Sequence, residues 1–444
     1  MFTPKLKVFN QKGHPGDGRF LVTGEGKPFF YLGDTAWELF HRLSREEADI
    51  YLRDRAAKRF TIIQAVILAE FDGLAVPNNY GDLPLHDNDV TRPNEPYFEH
   101  VDYVVDRAGS LGLHIGVLPT WGDKVNKKWG IGPEIFTPEN ALAYGQFLGT
   151  RYRDKRIIWI LGGDRPCENE CQYAIWRAMA EGLRRGDRGN HPITYHPMGG
   201  MTSAQFFHNE PWLDFNMLQS GHGARNIANY EMIERDYARV SIKPCLDGEA
   251  CYEDHPINWD PKNGWFDDHD VRQAAYWSVF AGAFGHTYGC HDIWQFLGPT
   301  RASISHARIE WKKALDLPGA FQMQHLRTLI ESRPMLVRVP DQSLLASDDG
   351  KGDDHMQATQ GADGSYAFVY MPRGEQVAVR MDKISGKIVK AQWFNPRDGK
   401  AEMIGEFAAS GIMKFITPTD GQMDDWVLVL DDTTKDFKAP GVMM

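Results

Sequence analysis

Ile157-Ile158-Trp159-Ile160-Leu161-Gly162-Gly163-Asp164 is an apolar run that stops in an acid, and Lys243-Pro244-Cys245-Leu246-Asp247-Gly248-Glu249 stops the same way. Each run is apolar enough to be a buried strand, yet each ends in a group that is costly to bury without a partner. Acids at the ends of buried parallel strands are the pattern of a barrel that does chemistry at its C-terminal rim. A pair of such carboxylates is the minimal apparatus for cleaving a glycosidic bond.

Working outward, similar runs occupy 29–33, 61–68, 114–120, 192–197, 214–219 and 286–291, which with 157–163 and 243–248 makes eight. Helical periodicity fills the intervals, as parallel βα units require. Ser44 and Glu47 form a capping box that opens a helix over 45–58. Pro96 precedes the face Val101, Val104, Val105, Ala108 and Leu111, and Gly112 stops it. Thr137-Pro138 opens the next, with Ala141, Tyr144 and Leu148 on one side. Segments 168–185, 226–239, 268–284 and 301–331 read as further helices, and the connection near 201–210 is short. The fold class is therefore α/β, a (β/α)8 TIM barrel over 1–334. A doubly wound sheet would want a glycine-rich phosphate turn after its first strand, and Gly33-Asp34-Thr35-Ala36-Trp37 is not one.

After Pro334 the texture changes to alternating runs at 365–371, 375–381, 387–393 and 426–430. Turns fall at Asp363-Gly364, Ser385-Gly386 and Asp398-Gly399. Residues 335–444 read as a small β-sandwich packed directly on the barrel.

Composition bounds the function. With 42% hydrophobic and 25% charged residues over 444 positions, the chain is globular, and one large domain plus a smaller one is expected. A formal charge of −11 argues against nucleic acid or an anionic membrane as partner. No apolar stretch approaches the ~20 residues of a membrane helix. Residues 1–30 hold no apolar signal-peptide core, so the chain as written is expected in the cytoplasm, or in the periplasm or outside the cell if a leader precedes it. The five Cys (167, 171, 245, 251 and 290) are too scattered for a disulfide framework and are expected to be free thiols. Nothing in the residues specifies an oligomeric state.

Strand ends converge in a parallel barrel, and their residues here are rich in chemistry: Asp34 and Trp37, Glu70, Trp121 and Asp123, Asp164, His196, Gln219 and His222, Glu249, and His291, Asp292 and Trp294. Asp164 follows the fourth strand and Glu249 the seventh, the two ends that carry acid/base and nucleophile in many barrel glycosidases, which is an analogy of fold. One carboxyl must be protonated to assist the leaving oxygen while the other is ionised. Asp164 is assigned as acid/base and Glu249 as nucleophile. Asp34, Trp37, Glu70, Trp121, His196, Gln219, His222, His291 and Trp294 are assigned to the carbohydrate, the tryptophans Trp121 and Trp294 as platforms for sugar rings. Each assignment has a plainer alternative. Asp164 could cap the following helix or pair with Arg165, Glu249 could be a buried ion-pair partner, Asp34 could cap the turn at 35–40, and the tryptophans could be core.

The stretch Gly26-Lys27-Pro28-Phe29-Phe30-Tyr31-Leu32-Gly33-Asp34-Thr35-Ala36-Trp37-Glu38-Leu39-Phe40 resembles the opening of the apiosidase-like barrel proteins, glycoside hydrolase family 140. The likeness continues through Leu113–Gly122, Trp159–Asp164 and Leu246–Glu253. The tail, with Trp393-Phe394-Asn395-Pro396-Arg397, is similar to the β-sandwich often appended to this barrel and labelled collagen-binding. Nothing in its residues suggests triple-helix recognition. The resemblance implies an enzyme that releases apiose-terminated chains from the pectic polysaccharide rhamnogalacturonan II, with its catalytic Asp and Glu at Asp164 and Glu249.

The competing classes are separable. Metal-dependent barrel hydrolases begin with His-x-His on the first strand; here that strand reads Leu32-Gly33-Asp34 and no His-x-His occurs in the chain. No metal or cofactor is expected. A non-catalytic carbohydrate-binding barrel would keep the tryptophans without needing both acids. A glycosidase of other sugar specificity, or a transglycosylase, would use the same two residues. Retention of configuration is the expected outcome, with carboxyls ~5–5.5 Å apart.

Overall fold

The computed structural model describes residues 5–443. Eight parallel strands form the barrel: β1 (Tyr31–Thr35), β2 (Ile62–Leu68), β3 (His114–Thr120), β4 (Ile157–Gly162), β5 (Ile193–His196), β6 (Asn216–Gln219), β7 (Cys245–Asp247) and β8 (Gly285–Tyr288). Pairing runs without interruption from β5 back through β4, β3, β2 and β1 to β8, β7 and β6. Every residue of these strands is buried. Helices on one face and the barrel interior on the other leave neither side wet, hence the continuous apolar runs. The ring closes between β5 and β6 without a full ladder. Asp214 N–H donates to the Ile193 carbonyl at 2.8 Å, and Thr194 Oγ1 to the Phe215 carbonyl at 2.7 Å.

Each strand is followed by a helix: α1 (Arg45–Ala57), α2 (Glu95–Ser110), α3 (Pro138–Tyr152), α4 (Glu170–Asp187), α5 (Ala204–Phe207), α6 (Asn229–Tyr237), α7 (Asp268–Phe280) and α8 (Pro318–Glu331). The Ser44/Glu47 capping box is formed, and Thr137/Asn140 and Asp267/Asp270 make two more. Helices α3 and α4 approach so closely that a Cβ at Gly145 would lie 2.5 Å from the Met179 carbonyl oxygen, and one at Gly182 2.2 Å from that of Leu142.

The structure departs from the sequence expectations in three places. The segment 301–331 is two helices, Trp311–Ala314 and α8, because Leu317-Pro318 restarts the chain. Near 201–210 the chain makes a two-residue strand, Met201–Thr202, antiparallel to β6, and then the one-turn α5. A three-stranded antiparallel sheet (Leu6–Val8, Leu21–Thr23, Pro28–Phe29) precedes β1. The C-terminal part is the expected small β domain, a six-stranded antiparallel sheet sharing one core with a two-stranded ribbon (Gln376–Arg380 with Ile412–Ile416).

That sheet is fastened to α7. Tyr276 stacks on Tyr370 at 4.9 Å and Phe280 on Phe368 at 5.8 Å. Arg272 forks onto Asp425 with two 3.0 Å bonds and Arg333 onto Asp431 with two of 2.7 Å, all four side chains being buried. Buried fork pairs of this geometry fix register between the layers. Among the described residues no helix is long and apolar enough to cross a membrane.

Candidate active site

The C-terminal strand ends surround a cavity of about 630 Å³. Asp164 and Glu249 both line it, together with Trp37, Glu70, Trp121, Gln219, His222, His291 and Trp294. Two of the expected residues do not. Asp34 belongs to the outer face of β1, where its Oδ2 accepts from Tyr51 Oη at 2.5 Å and Arg55 Nε at 2.6 Å, both on α1. It has no exposed surface and reaches no ligand from there. His196 is equally buried and stands behind Glu249 instead of facing a sugar, with Nε2 2.9 Å from Oε2.

Asp164 is positioned by a Gly-Gly-Asp turn. Gly162 and Gly163 have φ of +86° and +123°, and Asp164 itself +54°. A Cβ at Gly163 would meet the Gly122 nitrogen at 2.6 Å, so the backbone passes where only glycine fits. A non-glycine residue in the left-handed region marks strain of the kind stored at functional sites. The carboxyl accepts from Arg165 Nη1 at 3.0 Å and Trp129 Nε1 at 3.3 Å. Burial raises its pKa first and the charge of Glu249 second, against the pull of Arg165.

Glu249 is treated oppositely. Burial pushes its pKa up, but the His196 and His222 imidazoles outweigh that and hold it well below the ordinary carboxylate range. His222 Nε2 lies 3.2 Å from Oε1, and Tyr252 Oη donates to the same oxygen at 2.5 Å while accepting from Trp37 Nε1 at 3.1 Å. The Tyr252 hydroxyl is raised, by burial and then by Glu249, so it stays a donor.

Glu70 completes the acidic set. Arg165 Nη2 donates to its Oε1 at 2.6 Å, so one guanidinium bridges Glu70 and Asp164. Burial nevertheless lifts Glu70 to about 7, with Asp164 adding to the rise. Opposite, His222 stacks on His255 at 4.6 Å, and His255 meets His291 edge-on at 4.3 Å. Burial lowers His255 to about 2 and His291 to about 4, so these two imidazoles are neutral at working pH. Among the described residues no lysine or arginine lines the cavity itself, the Arg165 guanidinium lying buried behind Asp164 and Glu70.

The expected platforms Trp121 and Trp294 are 4% and 8% exposed and form its floor. The indoles that stand free are Trp129 and Trp259, 57% and 51% exposed, and both line the cavity. Sequence reasoning missed them, along with Tyr252 and His255, while Arg165 was foreseen only as a partner of Asp164 and pairs with it at 3.0 Å. The signal was available for the first two: each sits in a polar, glycine- or proline-bearing loop, where a core tryptophan is out of place. Among the described residues one acid–imidazole cluster has metal-ligand spacing, Asp267, His269 and Asp270, outside the cavity. Its atoms already cap α7 and bond the Pro372 carbonyl.

Comparison with known proteins accords with this geometry. The model of the apiosidase-like catalytic domain matches residues 16–337, and one named for a proposed collagen-binding domain of a collagenase matches 339–431. A crystal structure described as a glycoside hydrolase family 5 protein from Bacteroides vulgatus is 36% identical, covering 98% of this chain and 94% of that one with a TM-score of 0.89. A second structure, described as a glycoside hydrolase, is also 36% identical, with 98% of both chains covered and a TM-score of 0.89. A third from Bacteroides vulgatus, 12% identical over 97% of this chain and 82% of that one with a TM-score of 0.69, shares the fold. No curated protein sequence matches the chain. With a barrel of this form, two carboxylates at its rim and a family model spanning it, the chain belongs to the apiosidase-like family of glycoside hydrolases.

Proposed function

We propose that the cavity hydrolyses the glycosidic bond of a neutral sugar, apiose in side chains of rhamnogalacturonan II, with Asp164 as acid/base and Glu249 as nucleophile. The observation that carries this reading is the opposed tuning of the two acids: Glu249 is held ionised while Asp164 is raised toward its protonated form. Two carboxyls with their proton affinities driven apart is the signature of divided acid and base roles. Glu249 attacks the anomeric carbon as Asp164 gives its proton to the departing oxygen. Asp164, now a carboxylate, takes a proton from the water that opens the glycosyl ester, and configuration is retained.

The lining speaks to the sugar. A uronic acid as the sugar attacked by Glu249 would bring its carboxylate beside that ionised side chain with no lysine or arginine on the wall to meet it. A neutral sugar such as apiose meets no such penalty. The test is sugar release from rhamnogalacturonan II and from a panel of aryl glycosides, with Glu249→Gln alongside and the first-formed anomer followed by NMR. Apiose-terminated product that disappears in the variant is the expected result. Release of another sugar refutes apiose, an inverted anomer refutes the nucleophile, and binding without turnover refutes the enzyme reading.

A further inference from the structure

Trp129 is held in the open by its surroundings. The loop that carries it is bolted to the loop that carries Asp164: Asn126 Nδ2 donates to the Pro166 carbonyl at 2.9 Å and to Glu168 Oε2 at 3.2 Å, and Lys128 pairs with Glu168 at 2.5 Å. Its far end is tied to the barrel rim by Gly132 N–H to Asp123 Oδ2 at 2.9 Å and Ile135 N–H to the Lys124 carbonyl at 3.0 Å. The neighbouring Gly130 fits where a Cβ would lie 2.4 Å from Asp123 Cβ and 2.8 Å from Arg165 Nη2. One side of the indole is backed by the buried Arg165 guanidinium, 4.8 Å from the ring centroid. The indole N–H is spent on Asp164. More than half of the residue remains exposed at the cavity.

We propose that Trp129 is the platform of the leaving-group subsite, stacking the sugar ring beyond the scissile bond, and that its N–H ties that subsite to Asp164. The inference rests on the reading of Asp164 as the general acid. The acid delivers its proton to the departing oxygen, so the ring bearing that oxygen lies on the acid's side of the cavity. Trp129 is the exposed ring on that side. Trp259 stands instead against His222 and His255, at 5.9 and 5.7 Å, on the Glu249 side. An exposed aromatic face suits the apolar face of a pyranose or furanose, and the Arg165 guanidinium on the other side holds the ring in place. The substrate class that follows is an oligosaccharide or polysaccharide in which both sides of the broken bond are sugars, rather than a glycoside of a small alcohol.

The experiment uses the full chain with Trp129→Ala and Trp129→Phe, on rhamnogalacturonan II oligosaccharides and on the methyl glycoside of whichever sugar is released. Trp129→Ala should lower the ratio of kcat/KM between oligosaccharide and methyl glycoside by about 2–12-fold, through KM. Trp129→Phe keeps a ring and should hold that ratio. It loses the N–H that favours the ionised acid, so the alkaline limb of its pH profile should move upward. Equal effects on both substrates, or an unmoved limb, overturn the inference while leaving the glycosidase reading intact. Where the wild type releases nothing from any glycan, the glycosidase reading fails instead. The bond to Asp164 is then still read from fluorescence: the difference between wild type and Trp129→Phe should titrate with pH and lose that titration in the Asp164→Asn background. A difference that does not titrate overturns the coupling.

Discussion

Replacing Glu70 by glutamine should stabilise the protein at pH 8 and leave it nearly unchanged below pH 4.5. In the folded chain burial drives this carboxyl from 4.5 to about 7, despite Arg165 and with help from Asp164. In the unfolded chain it titrates at its ordinary value. Between those two pH values the unfolded state releases its proton while the folded state keeps it, so the free energy of unfolding falls as pH rises. The contribution is fully present below 4.5 and gone once pH passes 7. At 1.36 kcal/mol for each tenfold change in proton affinity, the drop is about 3 kcal/mol, and since 19% of the side chain meets solvent, about 2 kcal/mol is the safer figure. Glutamine does not titrate, and its oxygen can keep the 2.6 Å contact with Arg165 Nη2. Urea unfolding of both proteins from pH 4.5 to 8.5 reads the difference directly. A gap that grows by about 2–3 kcal/mol across the window supports the reasoning. A flat gap, or a variant weaker at pH 8, would show Glu70 ionised against Arg165 throughout and refute it.

Three further outcomes are expected. Tyr252→Phe removes the 2.5 Å donor to Glu249, so its carboxyl becomes easier to protonate; the acid limb of the pH–rate profile should move up and kcat/KM fall by about 10–100-fold. Asp34→Asn should cost about 3 kcal/mol in urea unfolding with KM unchanged, since it breaks a buried pair with Arg55 that lies outside the cavity. Arg272→Met should cost about 3–5 kcal/mol by stranding the buried Asp425, and a double-mutant cycle with Asp425→Asn should recover a large part of it.

The barrel was legible because burial on both faces writes strands such as β3, expected at 114–120 and found there, as uninterrupted apolar runs. Strands in the antiparallel N-terminal sheet are three residues or fewer, too short for any period to show. Asp34 was misread because the sequence does not show where a strand stops. The residue lies inside β1 rather than after it, and alternation turns its side chain outward to Arg55 and Tyr51 on α1. Asp164 and Glu249, each placed after its strand, do reach the cavity. Trp129, Trp259 and His255 sit on long loops between strands and helices, where no periodicity constrains a side chain, and only their folded path brings them to the rim.

What the sequence could not convey is why two carboxyls on one rim should differ. Burial acts on both in the same direction, and repulsion raises whichever carboxyl ionises second without deciding which one that is. The difference comes from partners recruited far along the chain. Glu249 gathers Tyr252 from its own loop, His222 from the loop after β6 and His196 from the end of β5. Asp164 has the Trp129 N–H and an Arg165 whose second arm is committed to Glu70. A shared guanidinium stabilises each carboxylate less than a dedicated one, and any charge on Glu70 draws it further from Asp164. Asp164 is therefore raised by burial and by the charge of Glu249 against a cation it shares with Glu70, whereas Glu249 is lowered by donors of its own. The Gly162-Gly163-Asp164 turn, with positive φ at all three residues, sets Asp164 beside an Arg165 that also reaches Glu70 and beside the Trp129 N–H.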